Sequence, residues 1–435
     1  MKLKKFASMV LATASILVLT ACGNQGSTGN STGSKDTVVT SVKKGTTVKF
    51  WHAMNGVQEE ALTKIASDFE KENPNIKIKL QNQSSYPDLQ QKIQATFTDK
   101  NNLPTISQAY PGWLYDAAES GLLVDLKPYM TNKKIGWGKQ EKVMPALLEG
   151  AEIKGKQYGI PFNKSTEVLV YNKDLFDKYG VKKVPTTMAE YAATAKKIWE
   201  ESNHTVVGGG FDSLNNFYVI GMKNKGVDFN KNIDITTKKS KQLVKYYADG
   251  IKDGYFRIAG SDKYLSTPFA SEKVAMFIGS MAGEGFVTKD AQAGGYEYGV
   301  APRPEKTNIQ QGTDIYMFNK GNSTKNKNEQ TGAYLFMKYL ASKDVQLYWA
   351  EKTGYMPVLK SVINSDEYKN LSAIKTPAIL AEATKDLFPI PATKNQDPAY
   401  SEVRTILEKI LTNPKQDIGK ALKEGQTSLE DVWNQ

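Results

Sequence analysis

Two hydrophobic periods alternate from residue 46 onward, and that alternation limits the fold more than anything else in the chain. Residues 46–52, TTVKFWH, place Val48 and Phe50 on one face, the period of a strand. Leu62, Ile65, Ala66 and Phe69 then recur at helical spacing, until ENPN halts the helix ahead of Pro74. IKIKLQN follows, with Ile76, Ile78 and Leu80 alternating. Strands joined by a helix in this way are expected to lie parallel in a layered α/β sheet. PDLQQKIQATF reads as a second helix through Leu89, Ile93 and Phe97, and PTISQAY as a third strand. A second region opens near GKQYGIPFNKSTEVLVYNKDLFDKYG, residues 155–180. There STEVLVYN is a strand and KDLFDKYG a short helix closed by Gly180. Thr187 and Glu190 form a capping box for a helix over 188–201. VAMFIGS (274–280) and TDIYMF (313–318) are further strands, and helical patterns dominate from 329, among them GAYLFMKYLAS and AYSEVRTILEKIL. No internal repeat is visible. At about 100–200 residues per domain, a chain of 435 residues predicts two lobes.

The first residues follow a different logic. Lys2, Lys4 and Lys5 precede a mostly apolar run, Phe6 to Leu19, which has the length of a signal-peptide core. It is too short for a bilayer span, which needs about 20 residues. The run ends in Leu19-Thr20-Ala21-Cys22, around the one cysteine of the chain. This resembles the lipobox of bacterial lipoproteins, which implies cleavage before Cys22 and a diacylglycerol on its sulfur. Burying acyl chains contributes about 0.8 kcal/mol per methylene. The plainer alternative is a secretory signal with a chance cysteine. Residues 23–35 are almost entirely Gly, Asn, Ser, Thr and Gln, the composition of a flexible tether. The expected layout is a signal peptide over 1–21 and a lipidated cysteine with its tether over 22–45. That places the protein outside the cell, anchored on the outer face of the cytoplasmic membrane, with no disulfide.

Composition excludes several function classes. The formal charge is +11, but the basic residues are scattered, with KK pairs and no long block. That pattern suits an anionic lipid surface or an anionic solute better than nucleic acid. Two histidines, His52 and His204, stand far apart with no Cys/His cluster, so no metal site is expected. His52, at a strand end, reads as a polar core or site-edge residue. G-x-S-x-G, a P-loop and a G-x-G-x-x-G after a strand are all missing. VVGGGFDS (206–213) lacks the Lys and Ser/Thr of a phosphate loop and reads as a strand end and turn. Sequence leaves open whether two of the 46 acids are paired as a glycosidase requires. The reading is a binder without cofactor or catalytic residues.

Four segments carry a resemblance: KFWHAMNGVQEEAL (49–62), YGIPFNKSTEVLVYNKDLF (158–176), SEKVAMFIGS (271–280) and EKTGYMPVLKS (351–361). In order and spacing they resemble the extracellular solute-binding proteins (family 1) of ABC importers. W-H-x-M-x-G and P-F-N-x-S-T look most like the glycerol-3-phosphate-binding branch. The resemblance implies an α/β, two-lobed, periplasmic-binding-protein-like fold with a hinge and an interlobe ligand cleft. Lobe 1 would take 46–157 plus about 310–350, and lobe 2 would take 158–309 plus about 351–435.

The branch also implies ligand contacts at Tyr86, Ser165, Ser280, Gly312, Tyr355 and Arg404. One position departs: the glutamate of a Q-V-Y-E segment, which would take glycerol hydroxyls, is Pro111 in QAYPGW. Trp113 or Asp116 would then serve that edge, and Trp51, Tyr110 and Trp113 offer faces for stacking. Apart from the resemblance, a planar guanidinium with hydroxyl and backbone donors suits a phosphate monoester. The residues also admit plainer roles. Arg404 sits on an amphipathic helix with Val403, Ile406 and Ile410, where a surface arginine is ordinary. Ser165 can pair within a strand, Gly312 can be a bulge, and Tyr86 and Tyr355 can pack turns. The resemblance implies capture of glycerol 3-phosphate or a glycerophosphodiester by a monomer. The ligand would be handed to ABC permease subunits whose ATPase is a separate chain. The alternatives are a receptor for a neutral sugar or oligosaccharide and, from another class, a cell-wall glycosidase.

Overall fold

The computed structural model describes residues 38–435. The expected signal peptide, Cys22 and the tether as far as residue 37 lie outside the described residues. The end of the expected tether is not free chain. Val38 and Val42 pack against the core, and Thr331 Oγ1 donates to the Val39 carbonyl at 2.6 Å. The folded body thus begins ahead of residue 46.

Twelve strands matter for the site. They are β1 (Thr46–His52), β2 (Ile76–Asn82), β3 (Ile106–Ala109), β4 (Gly159–Ser165), β5 (Glu167–Asn172), β6 (Gly209–Phe211), β7 (Phe256–Ile258), β8 (Met276–Ser280), β9 (Tyr298–Pro302), β10 (Asn308–Ile309), β11 (Gln311–Met317) and β12 (Leu387–Phe388). The helices that matter are α1 (Val57–Glu72), α2 (Tyr86–Ala95), α3 (Met188–Glu201), α4 (Leu214–Asn224), α5 (Lys238–Lys252), α6 (Thr324–Leu340), α7 (Lys343–Thr353), α8 (Gln396–Leu411) and α9 (Ile418–Asn434). One sheet has the order β2-β1-β3-β11-β4 and the other β9-β5-β8-β6-β7.

β1 lies parallel to both β2 and β3, as a strand–helix–strand unit requires, with Val48 opposite Ile78 and Phe50 opposite Ile106. α1 covers this sheet with Leu62, Ile65, Ala66 and Phe69, all buried. Phe69 and Phe50 meet Phe336 of α6 edge to face, at centroid distances of 5.1 and 6.1 Å. Burying each such ring contributes roughly 1.5–3 kcal/mol. On the second sheet, α8 and α9 pack as a pair beside α4 and α5. α3 begins where the capping box predicts: the Glu190 N–H donates to Thr187 Oγ1 at 3.1 Å.

The chain crosses between the sheets at Ser165-Thr166-Glu167, later than the expected boundary at 157/158. β4 belongs to the first sheet, antiparallel to β11. A second crossing runs from β9 through β10 to β11, and β12 pairs parallel to β10 beside it. Thr166 Oγ1 donates to the Ile309 carbonyl at 2.8 Å, and Asn308 Nδ2 to the Glu167 carbonyl at 2.7 Å. These bonds tie the crossings into one hinge, and the cleft between the two lobes opens beside it.

Candidate functional site in the interlobe cleft

Asn163, near the end of β4, organises the site. Its Oδ1 accepts from Gln108 Nε2 at 3.1 Å and from Thr313 Oγ1 at 2.8 Å, while its Nδ2 donates to Tyr86 Oη at 3.0 Å. Tyr86 opens α2 beneath a Ser85 cap, and its hydroxyl lies 3.3 Å from that of Tyr355. Tyr355 follows Gly354, which ends α7 in the left-handed conformation. Its ring stacks on Trp349 at 5.7 Å and 7°. The two tyrosines are thus fixed from one side by an amide network and from the other by a buried indole.

Ser165 ends β4 and Ser280 ends β8, one strand from each sheet. Their hydroxyls are 2.6 Å apart. Ser280 Oγ also accepts the Ala282 N–H at 3.2 Å, and Gln311 Nε2 reaches Ser165 at 3.5 Å. Gly312, on β11 opposite Lys164, has φ +91°. A Cβ there would run into the Asn163 carbonyl, so glycine is required on two counts. The Tyr110 hydroxyl meets the backbone of Gly312. Tyr86, Tyr110 and Trp113 close the edge with mutual centroid distances of 5.8, 5.2 and 6.2 Å. Burial pushes the phenols of Tyr86, Tyr110 and Tyr355 up, so all three are neutral donors at ordinary pH.

The charges near the site are mostly spoken for. Lys164 Nζ pairs with Asp314 at 3.0 Å, both buried, and donates to the Gly312 carbonyl at 3.2 Å. Burial pushes the Asp314 carboxyl up, and Lys164 opposes it. Arg303 Nε pairs with Glu167 at 3.0 Å, also buried, and the guanidinium contacts Glu305. Among the described residues Asp397, in the first turn of α8, forms no ion pair; it accepts from Gln90 Nε2 of α2 at 2.6 Å and from Trp113. Burial pushes its carboxyl up, against those two donors.

The structure therefore gathers Tyr86, Ser165, Ser280, Gly312, Tyr355, Tyr110 and Trp113. It does not gather the other expected residues. Trp51 lies in the core beneath, its Nε1 donating to Gln81 at 3.0 Å with Lys92 4.7 Å over its ring. Asp116 is exposed on the short helix Tyr115–Glu119. Arg404 is exposed and, among the described residues, forms no ion pair or hydrogen bond. It shares a helix face with Asp397, two turns or about 10 Å further along α8. Sequence reasoning missed Asn163, Gln108 and Asp397. Asn163 stood inside PFNKST, where Lys164 and Ser165 are polar as well, so nothing in the segment singled it out. His52 is buried, its Nδ1 accepting the Met54 N–H at 3.3 Å, and burial pushes its pKa down. Among the described residues no group of His, Cys, Asp and Glu is placed to hold a metal ion.

Hydroxyls, phenols and amides from both lobes, with aromatic faces on one edge, are gathered where the lobes meet. The profile of the bacterial extracellular solute-binding protein family matches residues 64–376. The chain belongs to that family. Its relatives include the sn-glycerol-3-phosphate-binding periplasmic protein UgpB of Escherichia coli K12, 26% identical over 424 residues, covering 88% of this chain and 92% of that one. UgpB of Brucella melitensis is 25% identical over 358 residues, 77% and 80% of the two chains. Among solved structures, UgpB from Mycobacterium tuberculosis in complex with glycerophosphocholine superposes with a TM-score of 0.77 at 18% identity, covering 89% and 98%. The GacH receptor of Streptomyces glaucescens, solved unliganded and with acarbose, gives 0.75 at 21%, covering 89% and 98%. These likenesses establish the two-lobed α/β fold. This solute-binding protein is of the kind that serves ABC importers, and its curated relatives are named as binding proteins, not enzymes.

Proposed function

We propose that this solute-binding protein captures a small phosphorylated polyol, glycerol 3-phosphate or a glycerophosphodiester, between its lobes and delivers it to an ABC permease. The observation that carries the reading is the pair of serine hydroxyls, Ser165 and Ser280, set beside Gly312 where the two lobes meet. A phosphoryl oxygen there would find hydroxyl and phenol donors and no free carboxylate at that end. The unpaired guanidinium of Arg404, on the cleft-ward face of α8 that Asp397 shares, supplies charge once the lobes close. The UgpB relatives support the same class. The contact set is Tyr86, Ser165, Ser280, Gly312 and Tyr355, with Tyr110 and Trp113 along the edge and Arg404 as the cation. Cys22 anchors the mature chain by lipid on the outer face of the membrane, and the protein acts as a monomer. The lipobox-like segment and the tether composition support the anchor.

A second reading, a receptor for a neutral sugar, is favoured by the Tyr86–Tyr110–Trp113 cluster and by Pro111, which offers no acceptor. Titrating the purified protein with glycerol 3-phosphate and with maltotriose in a calorimeter separates the two. Heat with the phosphate ester alone supports the first reading; heat with maltotriose alone overturns it in favour of the second.

A further inference from the structure

The acid on α8 has no structural partner that accounts for its charge. Asp314 and Glu167 are each neutralised by a buried cation, whereas Asp397 forms no ion pair among the described residues. Its neighbours are neutral N–H donors, Gln90 at 2.6 Å and Trp113. A carboxylate offers about four lone-pair sites, so two donors leave capacity for about two more hydrogen bonds. Asp397 as a residue is half-buried. It stands beside the Tyr86–Tyr110–Trp113 rings, and the turn that carries Trp113 packs closely on it: a Cβ on Gly112 would lie 3.2 Å from Asp397 Cβ. Gln90 belongs to one lobe and Asp397 to the other, so the acid also lies where the lobes meet.

We propose that Asp397 is the hydroxyl acceptor of the cleft, taking hydrogen bonds from neighbouring hydroxyls of a polyol ligand and setting the preference for it over a deoxy analogue. The assignment rests on the reading that ligand binds in the interlobe cleft, but it holds for a phosphorylated or a neutral polyol. Neutral hydroxyls satisfy a carboxylate without a counter-ion, and the adjacent rings cover the carbon skeleton that carries them. The competing role is a latch, in which Asp397 does no more than hold Gln90 and close the lobes.

The test compares glycerol 3-phosphate, 1-propyl phosphate (the same carbon chain without hydroxyls) and maltotriose, titrated into the wild type, Asp397→Asn and Gln90→Ala. Asparagine keeps the size and the Gln90 bond but loses the charged acceptor. The expected result is that Asp397→Asn weakens glycerol 3-phosphate about ten-fold while propyl phosphate changes less than about two-fold, narrowing the ratio of the two. Gln90→Ala, which removes the contact between lobes and leaves the carboxylate, keeps that ratio. Equal weakening of both phosphates by Asp397→Asn would reveal a latch and overturn the proposal, as would unchanged affinity. Should the wild type bind maltotriose and neither phosphate, the phosphorylated-polyol reading falls. A ten-fold loss of maltotriose in Asp397→Asn then supports the acceptor role, and no loss overturns it. Binding of none of the three overturns both.

Discussion

Lys164 and Asp314 lie side by side at the cleft wall, with relative side-chain exposures of 3% and 0%, so removing one partner strands the other charge away from water. Truncating one side of such a pair typically costs about 3–5 kcal/mol, far more than the pair's own net contribution. Asp314→Ala is therefore expected to lower the urea midpoint severely, and the double change Lys164→Met/Asp314→Ala to recover part of it. A midpoint unchanged in the single variant would show that the charge has found water. Gly312 gives a companion prediction. At φ +91° and against the Asn163 carbonyl, Gly312→Ala should abolish ligand binding and lower the melting temperature, readable in one thermal titration. Gly312 was marked in the sequence by the resemblance alone, since a glycine there reads equally well as a bulge. Asn163 was not marked, because its role is defined by Gln108, Thr313 and Tyr86, which come from three other elements. Trp51 misled for the same reason. An aromatic residue beside a site segment can face either side of a strand, and the register turned this one toward Gln81.

At the level of elements, the alternating strands were the most legible. TTVKFWH and IKIKLQN end where the periodicity ends. GIPFNKS was not read as a strand because every residue of it is buried, so no alternation marks it. The turn after β6 hides another unread feature. Asp212 accepts the Leu265 N–H at 2.6 Å, holding the segment that presents Tyr264, a tyrosine 64% exposed. Burial pushes the Asp212 carboxyl up to about 7, the Glu167 charge adding to it and the Leu265 N–H opposing it. The folded pKa thus lies above the unfolded value near 3.9, so the native state binds the extra proton between them. The contribution of Asp212 to stability is fullest below about pH 4, falls as pH rises through 7, and then levels. The slope is at most about 1.4 kcal/mol per pH unit for one proton. Asp212→Asn, which keeps an acceptor for Leu265, should flatten that part of the wild-type profile in denaturant melts run from pH 4 to 8. Profiles of equal slope would remove Asp212 as the titrating group.

At the scale of the whole molecule, the reach of Arg404 depends on how the lobes meet. Its helix touches the first lobe through Asp397, and the crossings between the lobes are tied together at Thr166 and Ile309. An exposed guanidinium two turns along the same face meets an anionic ligand only if closure brings it down; the static contacts around Ser165 and Ser280 do not include it. The sequence placed Arg404 on an amphipathic helix but could not place that helix over the cleft, since the position depends on the pairing of α8 with α9 and α4. If closure recruits the arginine, Arg404→Ala should weaken glycerol 3-phosphate by about ten- to a hundred-fold, consistent with about 1.5–3 kcal/mol for a charge-assisted hydrogen bond. The loss should shrink as salt rises, because the exposed charge is screened in the open state. Maltotriose affinity, having no charge to meet, should stay the same. A phosphate ester that binds Arg404→Ala as tightly as the wild type at low salt would mean the anion is held by Ser165, Ser280 and the phenols alone, and that the guanidinium faces solvent in the closed form as well.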